Sequence, residues 1–118
     1  STVSAASHMA QSLMPYKLVD GTQIAASWAD LTDGSLGAAL NKDRTGAALS
    51  NIEVWTGTSY DGSGTGSYCS DWTSSSASPP YGTVGINSYT SSAFTSSYLQ
   101  FCNRTNVALY CLEQPYAR

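Results

Sequence analysis

Gly57-Thr58-Ser59-Tyr60-Asp61-Gly62-Ser63-Gly64-Thr65-Gly66-Ser67-Tyr68-Cys69-Ser70-Asp71-Trp72 begins a stretch, running on to Gly85, made almost wholly of Gly, Ser, Thr, Asp and Pro. Its main interruptions are Tyr60, Tyr68, Cys69, Trp72 and Tyr81. A connection of that length is uncommon in a small domain. It stays ordered only if those aromatic rings are buried as anchors and Cys69 ties it covalently to something else; otherwise it is disordered.

Working outward, Ile52 to Trp55 carries β-branched and aromatic residues and predicts a strand leading into the loop. Beyond it, Tyr98 to Phe101 and Val107 to Leu112 predict two antiparallel strands joined across Asn103 to Asn106. At the other end, Val3, Ala6, Met9, Ala10 and Leu13 recur at helical spacing, so a short amphipathic helix is expected over 2–13, capped by Thr2 or Ser4 and stopped by Pro15. Tyr16 to Val19 predicts a brief strand ending at Asp20-Gly21, a turn signal that recurs at Asp33-Gly34 and Asp61-Gly62. Ile24, Trp28 and Leu31 suggest a second short helix that presents Trp28 to the core. Residues 34 to 51 lack periodicity and are expected to be a long loop.

The 118 residues make one domain, in which charged residues are only 11% and the formal net charge is -3. Soluble globular proteins average roughly 25% charged residues, so hydroxyls take over much of the surface here, as in many secreted proteins. Lys17, Lys42, Arg44, Arg104 and Arg118 are scattered, which leaves no basic patch for nucleic acid or an anionic membrane. No apolar run approaches the roughly 20 residues of a membrane-spanning helix, so insertion is not expected. Three cysteines, Cys69, Cys102 and Cys111, cannot all pair within the chain. In an oxidising compartment one would be free or bonded to something outside this sequence.

Taken in order, Val54-Trp55-Thr56-Gly57, Asp61-Gly62, Tyr68-Cys69-Ser70-Asp71-Trp72, Gly82-Thr83-Val84-Gly85, Cys102 and Leu109-Tyr110-Cys111-Leu112-Glu113 resemble the endostatin-like branch of the C-type-lectin-like fold. Leu18-Val19-Asp20-Gly21-Thr22 and Trp28-Ala29-Asp30-Leu31-Thr32-Asp33-Gly34 resemble a bacterial surface-protein domain of unknown function in that branch. The resemblance covers about residues 2 to 114. It implies a single α+β domain over 1–118, with a small twisted antiparallel sheet, two short helices and long irregular loops, and with Trp28, Trp55 and Trp72 at buried positions. It also implies a disulfide between Cys69 and Cys102. Relatives carry a fourth cysteine in an N-terminal helix ahead of a segment resembling the start of this chain, so the resemblance implies a domain that lacks the family's N-terminal strand and helix segment. Cys111 is therefore expected to be unpaired within the chain and to link to an N-terminal companion segment or chain; the alternative is a reduced, buried residue on a central strand.

The motif search argues against most chemistry. The Glu-Pro-Asn, Gln-Pro-Asp and Trp-Asn-Asp tripeptides of calcium-dependent sugar-binding relatives do not occur. The Asp61 loop has Trp72, not a bidentate Glu, at the twelfth position of a calcium loop. One histidine, His8, and separated cysteines assemble neither a catalytic triad nor a metal site, and no cofactor is expected. Tyr60, Tyr81, Tyr89 and Phe94 fall among Ser, Gly and Asn, the mixture used by adaptable binding loops, and are the candidate ligand contacts. The expected function is non-enzymatic: an extracellular, secreted or bacterial-surface recognition or adhesion domain that binds a glycan or protein through residues 57–97. A structural or oligomerising cap of a fibre or multidomain surface protein is the alternative. A processed subunit of a hydrolase is the lesser alternative, and no catalytic residue is assigned.

Overall fold

The computed structural model describes residues 4–111, which form a small α+β domain with two antiparallel sheets and a few very short helices. Strand β1 (Tyr16–Lys17) pairs with β2 (Gln23–Ala25), and β3 (Glu53–Trp55), β4 (Tyr81–Ile86) and β5 (Tyr98–Phe101) form a sheet in that order. In the larger sheet Val54 faces Gly85 and Thr83 faces Leu99. The central strand β4 is buried along Gly82 to Gly85.

Helix α1 (Ala5–His8) is much shorter than the 2–13 reading. Ser4 caps it, its hydroxyl oxygen accepting from Ser7 N at 3.3 Å, but none of its residues is buried and Leu13 is 91% exposed. A helix of a dozen residues is marginal in water unless an apolar face is packed, and without that packing only one turn survives. The second predicted helix is likewise reduced. Ile24 belongs to β2, and α2 covers Trp28–Leu31 alone. Its start is fixed by reciprocal bonds: Ser27 Oγ accepts from Asp30 N at 3.3 Å, while Asp30 Oδ2 accepts from Ala26 N at 2.7 Å.

The Asp-Gly turn signals are one repeated device. Asp20, Asp33 and Asp61 each accept from the backbone N–H two residues on, at 3.0, 2.9 and 3.0 Å, and Asp43 does the same to Thr45 at 2.8 Å. The carboxyls lie below the usual range: at Asp20 chiefly through the Thr22 N–H, and at Asp43 and Asp61 chiefly through the Thr45 and Ser63 hydroxyls, which donate at 2.6 Å, and then through the backbone. The expected loop of 34 to 51 carries only isolated bridges, Ser35 to Ser91 and Lys42 to Ala48. Buried Asn87 ties its end down by accepting from Ile52 N at 2.7 Å.

The long loop is anchored as its composition suggests, by rings seated on glycines. A Cβ at Gly57 would stand 2.7 Å from Tyr68 and 2.9 Å from Trp72, one at Gly62 3.0 Å from Trp28, and one at Gly82 2.6 Å from Trp55. Cys69 is buried and bonded to Cys102. Together these contacts hold α3 (Cys69–Trp72), one turn wound left-handed, with φ of 52, 53, 58 and 64° at its four residues. That conformation costs roughly 1–2 kcal/mol per non-glycine residue. Trp72 is 43% exposed, so it is less buried than the family resemblance implies.

The C-terminal hairpin does not form. β5 pairs with β4, and the chain crosses to the far side of β3, where Trp55 N donates to Ala108 O and Ala108 N to Glu53 O, both at 2.9 Å. This contact, Val54 to Ala108, is a single parallel bridge. Leu112 lies outside the described residues, as do Thr2 and Val3.

Candidate functional site

One cluster of Tyr16, Ile24, Ala25, Leu31, Leu36 and Phe94 forms a core, with Trp28, Leu40 and Tyr110 packed half-buried against it. On the flank of this core the elements do not close. A cleft of about 350 Å³ remains between Ala5 of α1 and Met9 just after it, Trp28 and Leu31 of α2 and Thr32 just after it, Thr56 and Thr58 to Tyr60 after β3, Phe94 with Thr95, and Leu109 with Tyr110. Helix α1 is held over it by Ala6 N, which donates to Gly62 O at 2.8 Å. Gly62 is also where the Trp28 ring sits.

Aromatic rings make its walls. Phe94 and Tyr110 are tilted against each other at 6.4 Å between centroids, and Tyr60 lies over Gly34. The threonines between them have turned their protons inward. Thr58 Oγ1 donates to Thr56 O at 2.7 Å and Thr95 Oγ1 to Thr58 O at 2.8 Å, while the Thr56 hydroxyl donates to the carbonyl of Thr95. Thr32 Oγ1 donates to Trp28 O at 2.9 Å, and Tyr110 Oη donates to Phe94 O at 2.7 Å. Burial pushes the Tyr110 phenol well above its ordinary range, so it stays neutral and a donor.

The structure divides the four candidate contacts. Tyr60, 43% exposed, and Phe94, buried, both line the cleft. Phe94 is therefore part of a core wall as much as a loop contact. Tyr81 and Tyr89 do not line it. Tyr81 is half-buried at the start of β4, its ring 5.5 Å from Phe101, and Tyr89 is exposed beyond the end of β4. Trp28, Tyr110, Leu109 and the threonine group were not singled out from sequence as contacts. Thr56-Gly57-Thr58 was the available signal, since two threonines flanking a glycine after a strand leave their side chains beside the same opening.

A second polar group lies on the larger sheet, where Glu53 accepts from Tyr98 Oη at 2.7 Å and from Gln100 Nε2 at 3.0 Å. The bond from Tyr98, then that from Gln100, hold the Glu53 carboxyl low, and the same bond holds the Tyr98 phenol high. Among the described residues, no three His, Cys, Asp or Glu side chains gather where they could hold a metal ion. No helix of the described residues is long and apolar enough to cross a membrane. Cys111 is exposed with a free thiol, not buried on a central strand, and Leu109 beside it is 71% exposed. Comparison with protein-family models, curated proteins and solved structures gives no match to this chain.

Proposed function

We propose that this chain is a non-enzymatic recognition or adhesion domain of the C-type-lectin-like fold, exposed to an extracytoplasmic space such as a bacterial surface, and that it binds a glycan or protein ligand. The observation that carries the reading is the open cleft, walled by Trp28, Tyr60, Phe94 and Tyr110 and built in part from the Ser/Gly/Tyr-rich stretch 57–97. Pockets of such size, mostly apolar with a few fixed polar groups, are where small ligands and anchor side chains bind. The Cys69–Cys102 disulfide supports an oxidising compartment. A glycan array combined with pull-down from extracellular material tests this. Saturable binding by a monomer that weakens on Tyr60→Ala, with the fold intact, supports it; no ligand of either class sinks it.

One observation favours a structural or oligomerising role instead. Val107 to Cys111 lies on the outer side of β3, joined to it by one bridge among the described residues and carrying an exposed thiol at Cys111, a position suited to pairing with a further strand and closing a disulfide to it. In that reading an N-terminal companion segment or chain is linked at Cys111. Intact mass with and without reductant decides it: a reducible adduct on Cys111 supports the link, and an unmodified monomeric thiol in freshly isolated material removes it.

A further inference from the structure

The turn Cys69–Trp72 carries φ of 52, 53, 58 and 64° at four successive non-glycine residues. In L residues left-handed backbone brings Cβ too close to the following carbonyl oxygen, and residues that adopt it ordinarily occur singly. Four in a row persist only where the surroundings over-determine them. We infer that this turn is a redox-sensitive two-state element. Its left-handed form exists only while Cys69 is bonded to Cys102, and reduction by a small dithiol lets it relax to right-handed or extended backbone, unseating Trp72. The inference is independent of the recognition reading.

The turn is pinned at its two ends. Tyr68 bridges to Gly82 just ahead of it, and the buried Cys69 is bonded to Cys102. At the far end the Trp72 ring lies against Gly57 and edge-on to Trp55, at 6.0 Å between centroids. Ser70, Asp71 and Trp72 are all exposed, so burial secures the turn chiefly at Cys69. Trp72 N donates to Tyr68 O at 2.6 Å, Thr73 N to Cys69 O at 3.1 Å and Ser74 N to Cys69 O at 2.9 Å. These bonds lie within 68–74, so they follow the turn and do not tie it to the sheet. The seat of Trp72 likewise needs the turn to be formed already. Cutting the disulfide therefore removes the covalent hold on a backbone that has cheaper conformations. The core cluster contains no residue of the turn, and β5 has its own four-residue register with β4, so the change stays local.

The exchange begins at Cys102, the half-buried sulfur of the pair. One thiolate of the dithiol attacks Cys102 Sγ, the S–S bond breaks, and its electron pair leaves on Cys69 Sγ, which takes up a proton. The second thiolate attacks the mixed disulfide and releases Cys102, which is protonated in turn. The dithiol ends as a cyclic disulfide, two electrons having passed to the protein. Cys69, the strained partner, is thus the first sulfur set free.

The test uses the whole chain with and without dithiothreitol. Iodoacetamide adducts, counted by mass after denaturation, are expected to rise from one to three, since one of the three cysteines is free before reduction. NOEs between the Trp72 indole and Gly57 should then vanish, while cross-strand NOEs between Thr83 and Leu99 persist. Ser70→Gly supplies a readout that a merely structural disulfide would not move. It should raise the urea midpoint of the oxidised chain by about 0.5 M, because glycine escapes the left-handed penalty, and leave that of the reduced chain unchanged. Four outcomes overturn the inference. They are a bond that dithiothreitol leaves intact, Trp72–Gly57 NOEs that survive full reduction, loss of the Thr83–Leu99 NOEs together with them, which would mean wholesale unfolding, and an equal rise in midpoint for both redox states.

Discussion

The two flanks of β3 are made from similar residues and end differently. On the β4 side, glycines admit the rings of Trp55, Tyr68 and Trp72, a three-residue register is completed, and Cys69 is bonded. On the other side, Val107 to Cys111 offers equally apolar residues but, among the described residues, makes one bridge, leaves Leu109 exposed and carries a free thiol at Cys111. The difference teaches that hydrophobic content does not decide closure here. Close approach does, and it exists only where a glycine removes the Cβ that would stand between backbone and ring.

The largest expected effect is therefore on the closed flank. A Cβ at Gly85 would overlap the carbonyl of Phe94, which is backbone and cannot swing aside. Gly85→Ala is predicted to cost upwards of about 4 kcal/mol, enough to abolish cooperative thermal unfolding in a domain of this size. A normal melting curve for the variant would break the glycine argument.

Next comes the contrast between cysteines. The bond from Cys69 to Cys102 spans a sequence separation of 33. Its removal by Cys69→Ser with Cys102→Ser should cost about 3–4 kcal/mol by loop entropy. Exposed Cys111→Ser should change stability by less than about 0.5 kcal/mol. Denaturant titration measures both, and comparable losses would mean that the two flanks are equally closed.

A smaller effect has the opposite sign. Ser70 is held at φ 53° inside the left-handed turn. Ser70→Gly should stabilise by about 1 kcal/mol, because glycine enters that region without the Cβ penalty. A lower denaturant midpoint would show that the serine side chain, not the backbone, matters there.

The smallest is a pH effect. The carboxyls of Asp20, Asp43 and Asp61 are lowered by turn hydrogen bonds, and that of Glu53 by Tyr98. Groups with depressed folded values bind protons more readily when unfolded. Their contribution is thus present above the ordinary carboxylate range near pH 4 and is lost as pH falls below it. Melting temperature should be flat from pH 7 to 5 and decline below about 4, less steeply after Asp→Asn at the three turns. An unchanged slope in that triple variant would remove the turns as its source.

Much of the fold was legible because its causes are local. Asp-Gly-Thr and Asp-Gly-Ser specify their turns through a side chain reaching two residues ahead, Ser4 caps α1, and Glu53–Trp55 and Tyr98–Phe101 have strand composition. The misreadings share one cause. The pattern at 2–13 implies a helix face that the fold does not bury, and the pattern at 107–112 implies a hairpin with Tyr98–Phe101. Which strand an apolar segment joins depends on which neighbour has room.

By itself the sequence determined the turns, the cap at Ser4, the need for aromatic anchors in the glycine-rich stretch and the surplus thiol, since each follows from residue types and local spacing. The family resemblance added the cysteine pairing that the structure shows. Only the tertiary structure decided that Trp28, Tyr60, Phe94 and Tyr110 meet around one opening while Tyr81 and Tyr89 stand outside it. Those four residues are spread from 28 to 110, and their meeting is set by packing between elements, to which sequence spacing is blind.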